Sequence, residues 1–143
     1  MEKFDPIVEE EKPDWILIQG DTTTTFISAL IGFYYKIRIG HIEAGLRTYN
    51  KYRPFPEEIN RRLTALLTDF HFAPTQRAKS NLVFEGIPEK NIFVTGNTVI
   101  DALLITLEKL KKDKSMLQRL NSQFSFLNSK STKLILVTAH RRE

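Results

Sequence analysis

The chain has no cysteine in its 143 residues. That excludes a disulfide framework, a thiol nucleophile and a thiolate metal site. Glycine is sparse at six residues, and Gly20, Gly32, Gly40, Gly45, Gly86 and Gly96 fit neither G-x-G-x-x-G nor G-x-x-x-x-G-K. No dinucleotide fingerprint or phosphate loop is therefore present, and a G-x-S-x-G elbow is missing too. Without H-E-x-x-H or a cysteine set, no metal site is expected. The longest apolar-rich stretch, Phe26–Tyr35, is far short of the roughly 20 residues of a membrane span. The opening residues are acidic where a secretory leader is basic. A cytoplasmic protein without a membrane partner is the expectation. Repeats and low-complexity tracts are absent.

Lysine and arginine outnumber the acids 21 to 17, for a net charge of +4. The positive residues are scattered apart from Lys109–Lys114 and Arg141-Arg142, with acids interleaved. This reads as solvated helix surface and not as a phosphate-tracking stripe, so no nucleic-acid partner is expected.

Apolar runs and turn residues alternate along the chain. Residues 1–14, with Pro6 and Pro13, read as a short helix or an irregular lead-in. Trp15–Gln19, Ile37–Ile42, Asp69–Ala73, Asn91–Thr95 and Lys133–Val137 read as five strands. Between them lie helical patterns. Threonines 22–25 precede an apolar stretch, and hydroxyls cap free backbone N–H groups. Pro56, Glu57 and Glu58 open a second helix whose Ile59, Leu63, Leu66 and Leu67 share one face. Glu57–Arg61 and Glu58–Arg62 have the spacing of favourable pairs on that helix. Thr75 starts a third helix, stopped by Gly86, and a fourth is expected over Thr98–Lys112 with Ile100, Leu103, Leu104 and Leu107 inside. The segment 113–132 is polar, helical at first and then loop.

This alternation predicts an α/β fold: a parallel sheet with helices on both faces. Ligands of such sheets gather at the carboxyl ends of the strands. Those ends carry Gly20-Asp21, His41 to Arg47, Gly96-Asn97 and His140. Asp21, at a helix start, either caps that helix or offers an ionised carboxylate. Thr22 to Thr25 are caps, or donors to a sugar or phosphate. His41 and Glu43, two apart in extended chain, face the same side. They bring an imidazole and a carboxylate to one bound molecule, or are a buried structural histidine and a surface acid. Glu57 and Glu58 suit a helix first turn on electrostatic grounds alone. His71, between Phe70 and Phe72, reads as structural. Arg47 clamps an anion or pairs with a carboxylate. The last strand has no helix behind it, so the chain is expected to be a piece of something larger.

Five runs, in order, closely resemble the non-hydrolysing UDP-N-acetylglucosamine 2-epimerases. They are Gln19-Gly-Asp-Thr-Thr-Thr-Thr25, Gly40-His-Ile-Glu-Ala-Gly-Leu-Arg-Thr48, Pro56-Glu-Glu-Ile-Asn-Arg61, Thr95-Gly-Asn-Thr-Val-Ile-Asp101 and Thr138-Ala-His-Arg-Arg-Glu143. The resemblance implies a central fragment of a two-domain, glycosyltransferase-B type architecture, incomplete here. Residues 1–112 would be the C-terminal portion of the N-terminal Rossmann-like domain, 113–132 a linker, and 133–143 the first strand of a truncated second domain. It also implies interconversion of UDP-GlcNAc and UDP-ManNAc by elimination and re-addition of UDP, without a cofactor. By motif, Asp21, Glu43 and Glu57 match the catalytic acids. His140, Arg141, Arg47 and Thr22 are the candidate substrate-binding residues, His140 near the diphosphate. Ala139 stands where the family more often has glycine.

The resemblance further implies that this chain is inactive alone. It would act as a homo-oligomer or with a partner chain that supplies the missing domain. Two other readings stand beside the epimerase: a nucleotide-sugar binding or complementation module, and a glycosyltransferase of the same architecture.

Overall fold

The computed structural model describes residues 3–128 and 133–137. It divides into two compact units, Met1–Asn97 and Thr98–Glu143.

The first unit is a parallel sheet with helical crossovers. Its elements in chain order are α1 (Asp5–Glu11), β1 (Trp15–Gln19), α2 (Thr23–Tyr34), β2 (Arg38–Ile42), α3 (Glu57–Leu67), β3 (Phe70–Ala73), α4 (Gln76–Phe84) and β4 (Ile92–Val94). The four strands are parallel and run in the order β1-β2-β3-β4. The register pairs Ile18 with His41, His41 with His71, and His71 with Ile92. These four residues therefore share one face of the sheet.

Against that face lies the core. Ile18, Ile39 and Ala29 of α2 form one buried cluster, flanked by Ile16 and Leu67. Ala44, Ala65, Ala73, Ala78, Leu82 and Ile92 form the other, between α3, α4 and the sheet. Small side chains dominate the second cluster, so backbone comes close to backbone. At Gly45 (φ +87°) an added Cβ would lie 2.3 Å from the Ala78 carbonyl oxygen, which only glycine permits. The opposite face carries an aromatic row. Trp15 stacks on Phe70 at 5.3 Å, Phe70 and Phe72 meet Phe93, and Arg38 lies over Trp15.

Local signals place the helix ends as expected. Thr22 and Thr75 cap α2 and α4, accepting from the N–H groups of Thr25 and Ala78. At the end of α4, Ile87 N–H reaches Leu82 O and Gly86 N–H reaches Val83 O. With Gly86 left-handed at φ +88°, this is a Schellman stop.

Helix α3 departs from the expectation. Its buried residues are Glu57, Glu58, Asn60, Thr64 and Ala65, whereas Leu63 and Leu66 are exposed. Leu67 alone of the expected apolar face packs on the core, and Ile59 is half-buried. The helix is turned so that its polar stripe faces the strand ends, where that stripe finds charged and backbone partners.

The second unit holds α5 (Thr98–Lys112) and α6 (Lys114–Gln123). Helix α5 has the expected bounds, but Ile100, Leu103, Leu104 and Leu107 are exposed, not inside. A pair of helices does not enclose an apolar stripe. Residues 133–137 form no strand, and Leu134, Ile135, Leu136 and Val137 are exposed. The apolar run is present, but within its own unit no strand is found among the described residues. No helix among the described residues is long and apolar enough to cross a membrane.

Candidate active site

The carboxyl ends of β1 and β2 and the first turn of α3 meet in one place. The end of β1 is tied to β2 by Gly20 N–H donating to Ile42 O, and β2 to β3 by Ala44 N–H donating to Phe72 O. Beyond those ties the chain leaves the sheet with Asp21 on one side and Glu43 on the other.

Asp21 precedes the cap of α2 and does not itself cap it, since Thr22 does. Its Oδ2 accepts from Arg61 Nε of α3 at 3.0 Å and forms an ion pair with Nη2 at 2.8 Å. Its backbone carbonyl accepts from Asn60 Nδ2 at 2.9 Å. Glu43 sits just past β2 in the left-handed region (φ +66°). Its carboxylate turns toward the neighbouring strand end, with Oε2 3.7 Å from where a Cβ of Gly20 would be. Glu57 is buried in the first turn of α3, three and four residues before Asn60 and Arg61. The three matched acids thus come from three separate segments: Asp21 and Glu43 meet at Gly20, and Glu57 lies one turn before Asn60 and Arg61, the α3 residues that hold Asp21.

His41 and Glu43 also meet at Gly20, but not through extended chain. Glu43 has left the strand, whereas His41 lies within β2, fully buried, with Nε2 donating to Gly20 O at 2.8 Å. That bond makes Nε2–H the tautomer present, and burial lowers the imidazole pKa to about 4 against the weaker pull of the Gly20 carbonyl. His71, its neighbour in register, is also fully buried. Burial first, then the charges of His41 and Arg47, lower its pKa to about 4. Both imidazoles are neutral near pH 7.

Glu58, at the other position of the α3 first turn, is 1% exposed. It accepts from Thr48 N–H at 3.0 Å, Tyr49 N–H at 2.9 Å and Arg61 Nη1 at 3.3 Å. It therefore anchors the loop that follows Gly45, where Tyr49 is left-handed (φ +59°). Arg61 bridges Asp21 and Glu58. Of the two alternatives for Arg47, the structure shows pairing: its buried guanidinium grips Glu85 with Nε and Nη2, each at 2.8 Å. Thr22 is engaged as the α2 cap and lies 3.1 Å from Thr25 Oγ1. His140 and Arg141 lie outside the described residues. Among the described residues no group of three or more acids and histidines could hold a metal ion.

Sequence reasoning passed over Asn60 and reduced Arg61 to a helix-surface pair. Their signal was a polar face, Glu57, Glu58, Asn60, Arg61 and Thr64, on a helix whose neighbours are apolar.

A sequence model of the UDP-N-acetylglucosamine 2-epimerase family matches residues 1–143. The UDP-N-acetylglucosamine 2-epimerase of Neisseria meningitidis serogroup A is 56% identical over 137 residues, which are 96% of this chain and 36% of that protein. That of Yersinia pestis is 50% identical over the whole chain and 38% of its own length. Among solved structures, the Neisseria meningitidis enzyme bound to UDP-GlcNAc superposes with a TM-score of 0.93 at 53% identity, over 99% of this chain and 38% of that one. The Methanocaldococcus jannaschii enzyme in complex with UDP-GlcNAc and UDP gives 0.74 at 43% identity, over 84% and 33%. The chain spans somewhat more than a third of the curated relatives it matches. With its parallel sheet and the acids gathered at the strand ends, it belongs to the UDP-N-acetylglucosamine 2-epimerase family.

Proposed function

We propose that this chain supplies the carboxylate half of a UDP-GlcNAc 2-epimerase site and acts together with a further domain. The meeting of Asp21 and Glu43 at Gly20, with Glu57 one turn before the Asn60 and Arg61 that hold Asp21, carries the reading. Inversion at C2 of an amino sugar demands removal of a proton that no adjacent carbonyl acidifies. Departure of UDP makes C1 cation-like, and that acidifies C2. A base then takes the C2 proton, and the C1–O bond electrons leave with the diphosphate to give a 2-acetamidoglucal. Return of a proton to the opposite face and re-addition of UDP at C1 complete the inversion. Acid–base groups on both sides of the ring are required, and buried or paired carboxylates suit that work.

In this chain both Arg61 contacts fall on Oδ2 of Asp21, so Oδ1 remains for the sugar. Glu43 approaches from the neighbouring strand end and Glu57 from the start of α3. The diphosphate clamp is assigned to His140 and Arg141 with the domain that 133–143 would open, residues 1–112 belonging to the first domain and 113–132 linking the two.

The test is conversion of UDP-GlcNAc to UDP-ManNAc, with solvent deuterium entering C2. The purified 143-residue chain is expected to show none. Co-expression with the flanking segments of the Neisseria meningitidis relative is expected to restore it. In that assembly Asp21→Asn, Glu43→Gln and Glu57→Gln should each lower turnover about 100-fold or more. Full conversion by the isolated chain would refute the need for a partner. Unchanged turnover in the three variants would refute the site.

A further inference from the structure

The turn that carries Asp21 is held in an unusual way. Three consecutive carbonyls at the end of β1 each accept a hydrogen bond from a side chain, and each side chain comes from a different element. Thr25 Oγ1 of α2 donates to Gln19 O at 2.8 Å, His41 Nε2 of β2 to Gly20 O at 2.8 Å, and Asn60 Nδ2 of α3 to Asp21 O at 2.9 Å. Each donor is at least nine-tenths buried: Thr25 is 5% exposed, His41 1% and Asn60 7%.

Carbonyls at the end of a parallel strand can be satisfied by water, so three buried polar side chains spent on adjacent ones need a reason. Side chain–backbone bonds are a minority of protein hydrogen bonds, and each buried donor costs free energy if its partner shifts. The arrangement over-determines one short stretch of backbone, and the residue at its end is Asp21. Arg61, next to Asn60, takes the carboxylate of that same residue. Backbone and side chain of Asp21 are thus fixed from α3 while the preceding peptides are fixed from α2 and β2.

We propose that Thr25, His41 and Asn60 are positioning residues that set where the Asp21 carboxylate stands, a role that rests on the epimerase reading above. His41 acts as a neutral Nε2–H donor in this clamp and takes no proton from the sugar. Reaction geometry justifies such a device, because a misplacement of about 1 Å at a reacting group costs on the order of 100-fold in rate. Groups held by locked, buried partners avoid that loss.

The test uses the 143-residue chain labelled with 15N and 13C, with the variants His41→Leu, His41→Gln and Asn60→Leu. Glutamine returns an N–H donor close to where Nε2–H lies, and leucine returns none. The Gly20 13C′ and Asp21 13Cγ resonances should move in both leucine variants and return to the wild-type positions in His41→Gln. In the epimerising assembly, kcat should fall about 100-fold in the leucine variants, with KM little changed and recovery in His41→Gln. Should His41→Leu fail to fold, Asn60→Leu carries the test, since Asn60 lies outside the sheet. An Asp21 resonance that stays in place in the folded leucine variants overturns the clamp, as does a His41→Gln that behaves like His41→Leu. A wild-type assembly that does not epimerise overturns the proposed function instead, and the resonances still decide the clamp.

Discussion

Helices α3 and α5 make opposite use of their sequences. Helix α5 carries an apolar stripe of Ile100, Leu103, Leu104 and Leu107 and buries none of it. Helix α3 carries acids, an amide and a guanidinium on its inward face, and that face is buried while Leu63 and Leu66 look outward. A helical period shows which residues share a face, but burial depends on what stands opposite. Helix α3 faces two strand ends with ready partners: the Asp21 carboxylate, the Asp21 carbonyl and the Thr48 and Tyr49 amides. Among the described residues of its own unit, α5 has only α6 and the short segments after it.

If this contrast holds, damage to the first unit should be costly and damage to α5 cheap. The largest effect is expected from acid. His41 and His71 have folded pKa values of about 4, below the unfolded value of about 6.5. Between those values the unfolded chain binds more protons, so stability is full above about pH 6.5 and falls as the pH drops toward 4. The loss across both imidazoles is on the order of 5 kcal/mol. Urea midpoints from pH 7.5 to 4.5 would show it, and His41→Gln, which removes one of the two groups, should flatten the slope.

Next comes Gly45→Ala, which sets a methyl against the Ala78 carbonyl in left-handed backbone. It should cost roughly 4 kcal/mol, and an unchanged urea midpoint would show that α4 yields easily. Glu58→Ala removes the buried acceptor of two backbone amides and of one arm of Arg61. About 3 kcal/mol is expected, with faster hydrogen exchange at Thr48 and Tyr49. The smallest effect is for Leu104→Ala, which removes a half-exposed side chain and should cost less than about 1 kcal/mol. A larger loss there, in thermal or urea unfolding, would mean that α5 is covered by something in solution.

Much of the fold was legible. The four strands of the sheet, the Thr22 and Thr75 caps, the Gly86 stop and the bounds of α5 follow from short-range patterns, because capping and turn chemistry act within a few residues. Residues 133–137 carry the apolar run of the expected strand without forming one here, because a strand exists only with a paired neighbour and an apolar run does not supply it. Asp21, Glu43 and Glu57 were found by motif, and their nearness to one another is a long-range fact. The Arg61–Asp21 pair spans 40 residues of sequence and Asn60 to Asp21 spans 39, distances over which no periodicity carries information.

From the amino-acid order alone came the alternation of strands and helices, the absence of cysteine and of glycine-rich phosphate loops, and the acids at the strand ends. Those depend on backbone preferences and on side-chain chemistry, both properties of short stretches. The rotation of α3, the burial of His41 and His71, the capture of Arg47 by Glu85 and the three-way hold on the Asp21 turn were decided by tertiary structure. Each is a choice among partners, and which partners are available is known only after the sheet has brought distant segments together.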